Sequence, residues 1–145
     1  MTVSATTELP IAAEHACQLA QRSAVLAHVL WPWLTVTPGT PLPAAVAEGD
    51  EITIRIHFLG VLPGWRHTLR VERLTPREIV SREHGGPVTA WDHRLTFEPT
   101  SLTSCRYTDR IDIHAGPATP VVALFAHFIY RYRQARWRAL ARILA

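Results

Sequence analysis

Five polar residues fall on strand faces that otherwise read as apolar: His67, Glu83, His93, Tyr107 and Asp109. A polar group in such a place is costly unless something satisfies it. Together they offer two imidazoles, two carboxyls and a phenol. That set suits general acid–base work or the orientation of a polar ligand group. Trp65 and Trp91 share those faces. Register counting brings the polar groups together. If a hairpin closing at Pro99–Thr103 sets Phe97 opposite Cys105, Leu95 faces Tyr107 and His93 faces Asp109. If the turn at Thr75–Pro76 pairs Arg73 with Arg77, His67 faces Glu83. Directly opposed side chains lie ~4.5–5.5 Å apart, within reach of a hydrogen bond. The expectation is two His–carboxylate pairs on a concave face, each carboxylate fixing a tautomer and raising basicity. A slip of one residue would put His93 on the other face and break its pair. The plainer reading is a buried His and Asp that satisfy each other and do nothing more.

Other chemistries find less support. The two histidines and two carboxyls have ligand chemistry suited to zinc, but no HxH or HxxxH spacing brings them together, so no metal is expected. There is no G-x-S-x-G elbow, no Walker loop and no G-x-G-x-x-G. Gly85–Gly86 reads as a hairpin turn and not as a phosphate cradle. No cofactor is expected. Cys17 and Cys105 sit in no metal or redox spacing and read as free, buried thiols.

The elements that must position these groups follow from periodicity. Residues Glu51–Leu59, Trp65–Arg73, Arg77–His84, Val88–Glu98 and Ser104–His114 alternate with period two and are separated by turn signals. Five such strands make an antiparallel meander, one face apolar and one charged. Ahead of them, Thr6–Ile11 reads as a short strand, Ala12–Arg22 as a helix, and Ala24–Leu30 as a second helix capped by Ser23. Trp33–Val36 reads as a strand, and Pro38–Pro43 as a connector rich in proline.

The chain closes on Gly116–Ala145. Thr119 suits an N-cap and Pro120 a first helical position, and no Gly or Pro follows. A helix of about 25 residues spans ~37 Å. Val121, Phe125, Phe128, Tyr132, Ala135, Ala139 and Ile143 recur at steps of three and four and are expected to face the sheet. Arg131, Arg133, Arg136, Arg138 and Arg142 are assigned mainly to solvent. The fold class is α+β: a curved antiparallel sheet wrapped around a long C-terminal helix, with two short N-terminal helices.

The totals agree with one globular domain over residues 1–145. Hydrophobic residues make up 48% of 145 and charged residues 19%, which excludes a disordered chain. The net charge is only +3 and all 15 basic residues are Arg, so a nucleic-acid partner is not expected. No apolar run is long enough for a membrane span. The first residues lack a basic region leading into an apolar core, so a cytoplasmic location is expected.

The stretches W-D-H-R-L-T-F-E (Trp91 to Glu98), Y-T-D-R-I-D-I (Tyr107 to Ile113) and F-I-Y-R-Y-R-Q-A-R-W (Phe128 to Trp137), with L-P-I-A-A-E-H-A (Leu9 to Ala16), carry a resemblance. In this order the chain resembles the START-like SRPBCC superfamily, the helix-grip ligand-binding proteins that include polyketide cyclase/dehydrase-like members. The resemblance covers most of the chain and is specific for the fold, not for one activity. It implies a hydrophobic or amphipathic ligand held between sheet and long helix. No catalytic set carries over. The expected lining is Trp65, His67, Glu83, Trp91, His93, Tyr107 and Asp109, with Phe125, Phe128 and Tyr132 as a lid.

Three functions remain open at this point. The first is a small-molecule binding protein. The second is a cyclase/dehydratase-type enzyme on the same cavity, with His93 or His67 as general base, Asp109 as partner and Tyr107 stabilising an enolate. The third is an interaction protein that uses the arginine face or the Trp31–Pro32–Trp33 segment.

Overall fold

A computed structural model describes residues 1–39 and 41–145; Thr40, within the expected Pro38–Pro43 connector, lies outside the described residues. The elements in order are β1 (Thr2–Leu9), α1 (Ala13–Ala20), α2 (Ser23–Leu30), β2 (Leu34–Pro38), β3 (Glu51–Phe58), β4 (Leu62–Thr75), β5 (Glu78–Gly85), β6 (Val88–Ser101), β7 (Ser104–His114) and α3 (Thr119–Leu144). Among the described residues seven strands form one antiparallel sheet, in the order β1-β7-β6-β5-β4-β3-β2. The meander runs from β2 to β7, and β1 closes its far side against β7. This is the helix-grip α+β arrangement.

Irregular pairing bends the sheet. Register shifts occur between β3 and β4 at Arg55/His57, between β4 and β5 at Val71/Arg73, and between β5 and β6 at Glu83/Gly85. Each such irregularity adds twist and curvature. The turn after β5 has a second task. Gly86 has φ of 51° and Trp65 packs over it; a Cβ there would lie 2.5 Å from the indole. At Gly85 a Cβ would lie 2.2 Å from the Arg66 carbonyl oxygen and 3.0 Å from His67 Nδ1. The glycine pair therefore lets Trp65 and His67 of β4 lie directly against the β5–β6 turn.

Element boundaries differ from the sequence expectation in instructive ways. β1 starts at Thr2, not Thr6, because eight consecutive residues pair with β7, from Thr2 opposite Asp112 to Leu9 opposite Cys105. Ser23 begins α2, but its hydroxyl donates to the Pro43 carbonyl at 2.7 Å and does not cap the helix. Thr119 is the first residue of α3, and Ala118 is the N-cap. The Thr119 Oγ1 accepts from the Ala115 N–H at 2.9 Å and donates to the Gly116 carbonyl at 2.7 Å.

The larger correction concerns the face of α3. The residues expected to face the sheet are mostly outside: Val121 is 72% and Ile143 81% exposed, and Ala135 and Ala139 are exposed too. The buried stripe is Ala123, Ala126, Ile129, Tyr130, Arg133, Gln134, Trp137 and Ala141. It also recurs at steps of three and four. α3 lies along β1 and β7, and small alanines permit that close approach. Two stripes share the three-and-four spacing, and the aromatic one takes the exposed and half-buried flanks of the helix. Arg133, expected in solvent, lies inside.

Candidate functional site

A cavity of about 470 Å³ lies between the inner face of β2 to β6, α2 and the first half of α3. Ile52, Ile54 and Ile56 of β3 and Leu69 of β4 form apolar wall, and Leu26 and Leu30 of α2 face them. These isoleucines are only half-buried, since they face a space instead of a packed neighbour.

A polar band crosses this wall. From β4, Trp65 Nε1 donates to His67 Nδ1 at 3.4 Å, and His67 Nε2 meets Glu83 Oε2 of β5 at 2.9 Å. The accepting Nδ1 leaves the proton on Nε2, which donates to the carboxylate. Ser81 Oγ donates to Glu83 Oε1 at 2.7 Å. His93 of β6 comes next, its Nδ1 3.9 Å from Glu83 Oε1 and its Nε2 2.8 Å from Asp109 Oδ1 of β7. Tyr107 donates to the same Asp109 oxygen at 2.7 Å. Gln134 Nε2 donates to Asp109 Oδ2 at 3.2 Å and to the Ala5 carbonyl at 2.7 Å. From α3, the Tyr130 hydroxyl lies 3.5 Å from His93 Nδ1 and accepts from Trp91 Nε1 at 3.3 Å.

Both histidine pairs form, but by a route the register count did not foresee. β6 and β7 pair Phe97 with Tyr107, Leu95 with Asp109 and His93 with Ile111. The hairpin is tighter than expected, closing on Ser101 opposite Ser104, and an irregularity between Pro99 and Ser101 takes up Thr100, so the register beyond it differs by two residues. A shift of two keeps every side chain on its face, and His93 reaches Asp109 diagonally. β4 and β5 begin with Thr75 opposite Glu78, a start that alone would reverse the parity of His67 and Glu83. The irregularity between Val71 and Arg73 takes up Glu72 and restores it, leaving Leu69 opposite Glu83. His67 then reaches Glu83 across the diagonal.

Charge states follow from these contacts. Burial alone would raise the Asp109 carboxyl, but the Arg133 charge and the His93 hydrogen bond hold it below its ordinary 3.8. Burial likewise opposes the charge on Glu83, yet the hydrogen bond from His67 and nearby His93 hold it below 4.5. Burial pushes the Tyr107 and Tyr130 hydroxyls upward, so both remain protonated donors. Among the described residues no group of three or more His, Cys, Asp or Glu side chains converges as a metal cage would.

The expected lining residues divide into two sets. Trp65, His67, Glu83, Trp91, His93 and Phe125 border the cavity. Tyr107 and Asp109 do not: both are fully buried behind His93, and Tyr107 is stacked on Phe97 with ring centroids 5.0 Å apart. Phe128 and Tyr132 do not border it either. They sit edge-on to Trp33 at 5.2 and 6.3 Å, and the Tyr132 hydroxyl donates to the Trp31 carbonyl. They clasp the Trp31–Pro32–Trp33 segment to α3 and form no lid. Polar residues of the site that went unnoticed in the sequence are Gln21, Arg22, Ser23 and Ser81 in the lining and, from α3, Tyr130 and Arg133 in the lining and Gln134 behind it on Asp109. The last three share the true buried stripe of α3, and that stripe is the signal that could have found them.

Solved structures share this arrangement. A protein from Chromobacterium violaceum superposes with a TM-score of 0.78 at 14% identity, covering 97% of this chain and 96% of that one. A START superfamily protein from Mycobacterium smegmatis gives 0.73 at 13% identity over 99% of both chains. The Zhui aromatase/cyclase from a Streptomyces species gives 0.65 at 15% identity, covering 97% and 91%. These likenesses show the fold: the START-like helix grip. A search of curated proteins finds no match. The sequence matches the family described as "Domain of unknown function (DUF8410)" over residues 7–142, and the chain belongs to that family. Among the described residues no helix is long and apolar enough to cross a membrane.

Proposed function

We propose that residues 1–145 act as a single cytoplasmic domain that binds a small hydrophobic or amphipathic molecule between the sheet and α3. One observation carries the reading: a cavity of about 470 Å³ whose walls are isoleucine, leucine and aromatic side chains, crossed by one band of polar groups. Small-molecule sites typically enclose ~300–1,000 Å³ and combine apolar walls with a few oriented polar groups. Native mass spectrometry of the purified protein tests for a co-purified molecule, and a fluorescent apolar probe measures binding directly. The expectation is saturable binding at one site, weakened in Ile54→Trp, where the indole takes up part of the cavity. Unchanged probe affinity in that variant, or no binding by the wild type, overturns the proposal.

A second reading, an enzyme of the cyclase/dehydratase type, is favoured by the His93–Asp109 contact. Asp109 holds one ring nitrogen, and the other faces Tyr130 and Glu83. In that reading His93 is the general base. Tyr107 is spent on Asp109, so the enolate would fall to Tyr130, which borders the cavity. His93→Ala separates the readings: an enzyme loses turnover of a polyketone substrate, whereas a carrier only binds somewhat less tightly.

A further inference from the structure

Arg133 is 6% exposed and borders the cavity from α3. Its Nε is buried with no hydrogen-bond partner. Among the described residues no carboxylate is in ion-pair contact with it: Glu83 is engaged by His67 and His93, and Asp109 by His93. Ser81, Tyr107 and Gln134 supply those carboxylates with further donors. Among the described residues the guanidinium meets the Tyr130 ring, its Cζ 5.6 Å from the centroid, and feels the Asp109 and Glu83 charges only at longer range. Such a contact engages the charge of the cation and does not supply an oxygen or nitrogen acceptor for Nε. A buried guanidinium without an anionic partner is costly. Its planar fork matches a carboxylate, which it grips through two parallel hydrogen bonds. The opposite wall of Ile52, Ile54 and Ile56 suits an apolar tail.

We infer that the ligand of this cavity is an acidic amphiphile, its carboxylate or similar planar oxyanion seated on Arg133 and its apolar body against the β3 wall. The inference rests on the reading of the cavity as a ligand site and adds the charge of the occupant. The competing role for Arg133 is internal: a distant counter-charge to Asp109 that meets no ligand.

Competition against a fluorescent apolar probe at pH 7.5, with decanoate, decanol and methyl decanoate as competitors, decides between them. The wild type is expected to bind decanoate at least about tenfold more tightly than either neutral analogue, the scale of a charge-assisted hydrogen bond. In Arg133→Met that preference falls to about one while decanol affinity holds. Arg133→Lys keeps the charge without the fork and is expected to show an intermediate preference. If the methionine variant does not fold, the wild-type ratios and the lysine variant decide alone. Equal affinity for decanoate and its neutral analogues in the wild type overturns the inference and leaves the cavity reading intact. A preference that survives in Arg133→Met also overturns it. Failure of all three competitors, with no probe binding, removes the ligand site itself.

Discussion

The two halves of the sheet carry the same alternation of apolar and polar residues, yet they bury it differently. On the β1–β7–β6 side, Val3, Leu9, Phe97, Ile111 and Ile113 are at most 7% exposed. α3 lies along β1 and β7, and α1 covers β6 and β7. Trp137 and Ala141 of α3 join Leu9, Phe97 and Tyr107 in one dense cluster. On the β3–β4 side no helix lies as close, and Ile52, Ile54, Ile56 and Leu69 remain half-buried around the cavity. Alternation therefore tells which face of a strand avoids water, but not whether a side chain or a space meets it. The polar band marks the seam. Asp109 and Tyr107 belong to the filled half, and His67 and Glu83 to the open one. His93 touches both through its two ring nitrogens.

Breaking the filled half should cost most. Trp137 is 1% exposed, and Trp137→Ala is expected to lose about 3–5 kcal/mol in urea unfolding. Ile54→Ala, which only widens an existing space, should lose about 1 kcal/mol. Similar losses at both positions would erase the distinction between the halves.

The seam comes next. Asp109→Ala leaves His93 and Tyr107 without their acceptor and Gln134 with only the Ala5 carbonyl, and should cost about 3 kcal/mol at pH 7. It should also change the acid limb. Asp109 and Glu83 both titrate lower in the folded protein than their ordinary 3.8 and 4.5. The unfolded chain therefore binds more protons at acid pH, and stability rises with pH through that range. Their contribution is complete above about pH 5 and is lost as the pH falls through the lower, folded-state values. Unfolding midpoints measured between pH 2 and 7 should fall less steeply on the acid side in Asp109→Ala than in the wild type. Parallel profiles would show that Asp109 holds no special charge.

The smallest effect lies at the flanks of α3. Phe125→Ala and Phe128→Ala each remove a partly exposed ring, 37% and 46% exposed, and should cost about 1 kcal/mol. Only Phe125 borders the cavity, so only its variant should weaken probe binding. Equal weakening in both would restore Phe128 to the lid.

Much of this was legible in the residues, for particular reasons. The strands showed because period two is imposed by the backbone itself. His67, Glu83 and His93 showed as polar intruders on an oily face, and they border the cavity. Tyr107 and Asp109 gave the same signal and proved to be the support behind His93. Depth is set by what packs on top, and a strand pattern does not contain it. The α3 stripe was misread because the Phe125–Phe128–Tyr132 and Tyr130–Arg133–Trp137 sets share the same spacing.

What the chain's residues determined alone is the local order: five alternating strands, a helix uninterrupted from Thr119 to Leu144, and histidines and acids on matching faces. Backbone geometry and side-chain polarity act over neighbours in sequence, so they can be read there. Tertiary structure alone decided three things. It chose which stripe of α3 lies against β1. It set the diagonal contacts through a tighter hairpin and the displaced Glu72 and Thr100. It also enclosed Arg133 beside the cavity, with no carboxylate of the described residues in ion-pair contact. Each depends on the distance between surfaces far apart in the chain, and close packing settles those distances only when the whole sheet has curved around the helix.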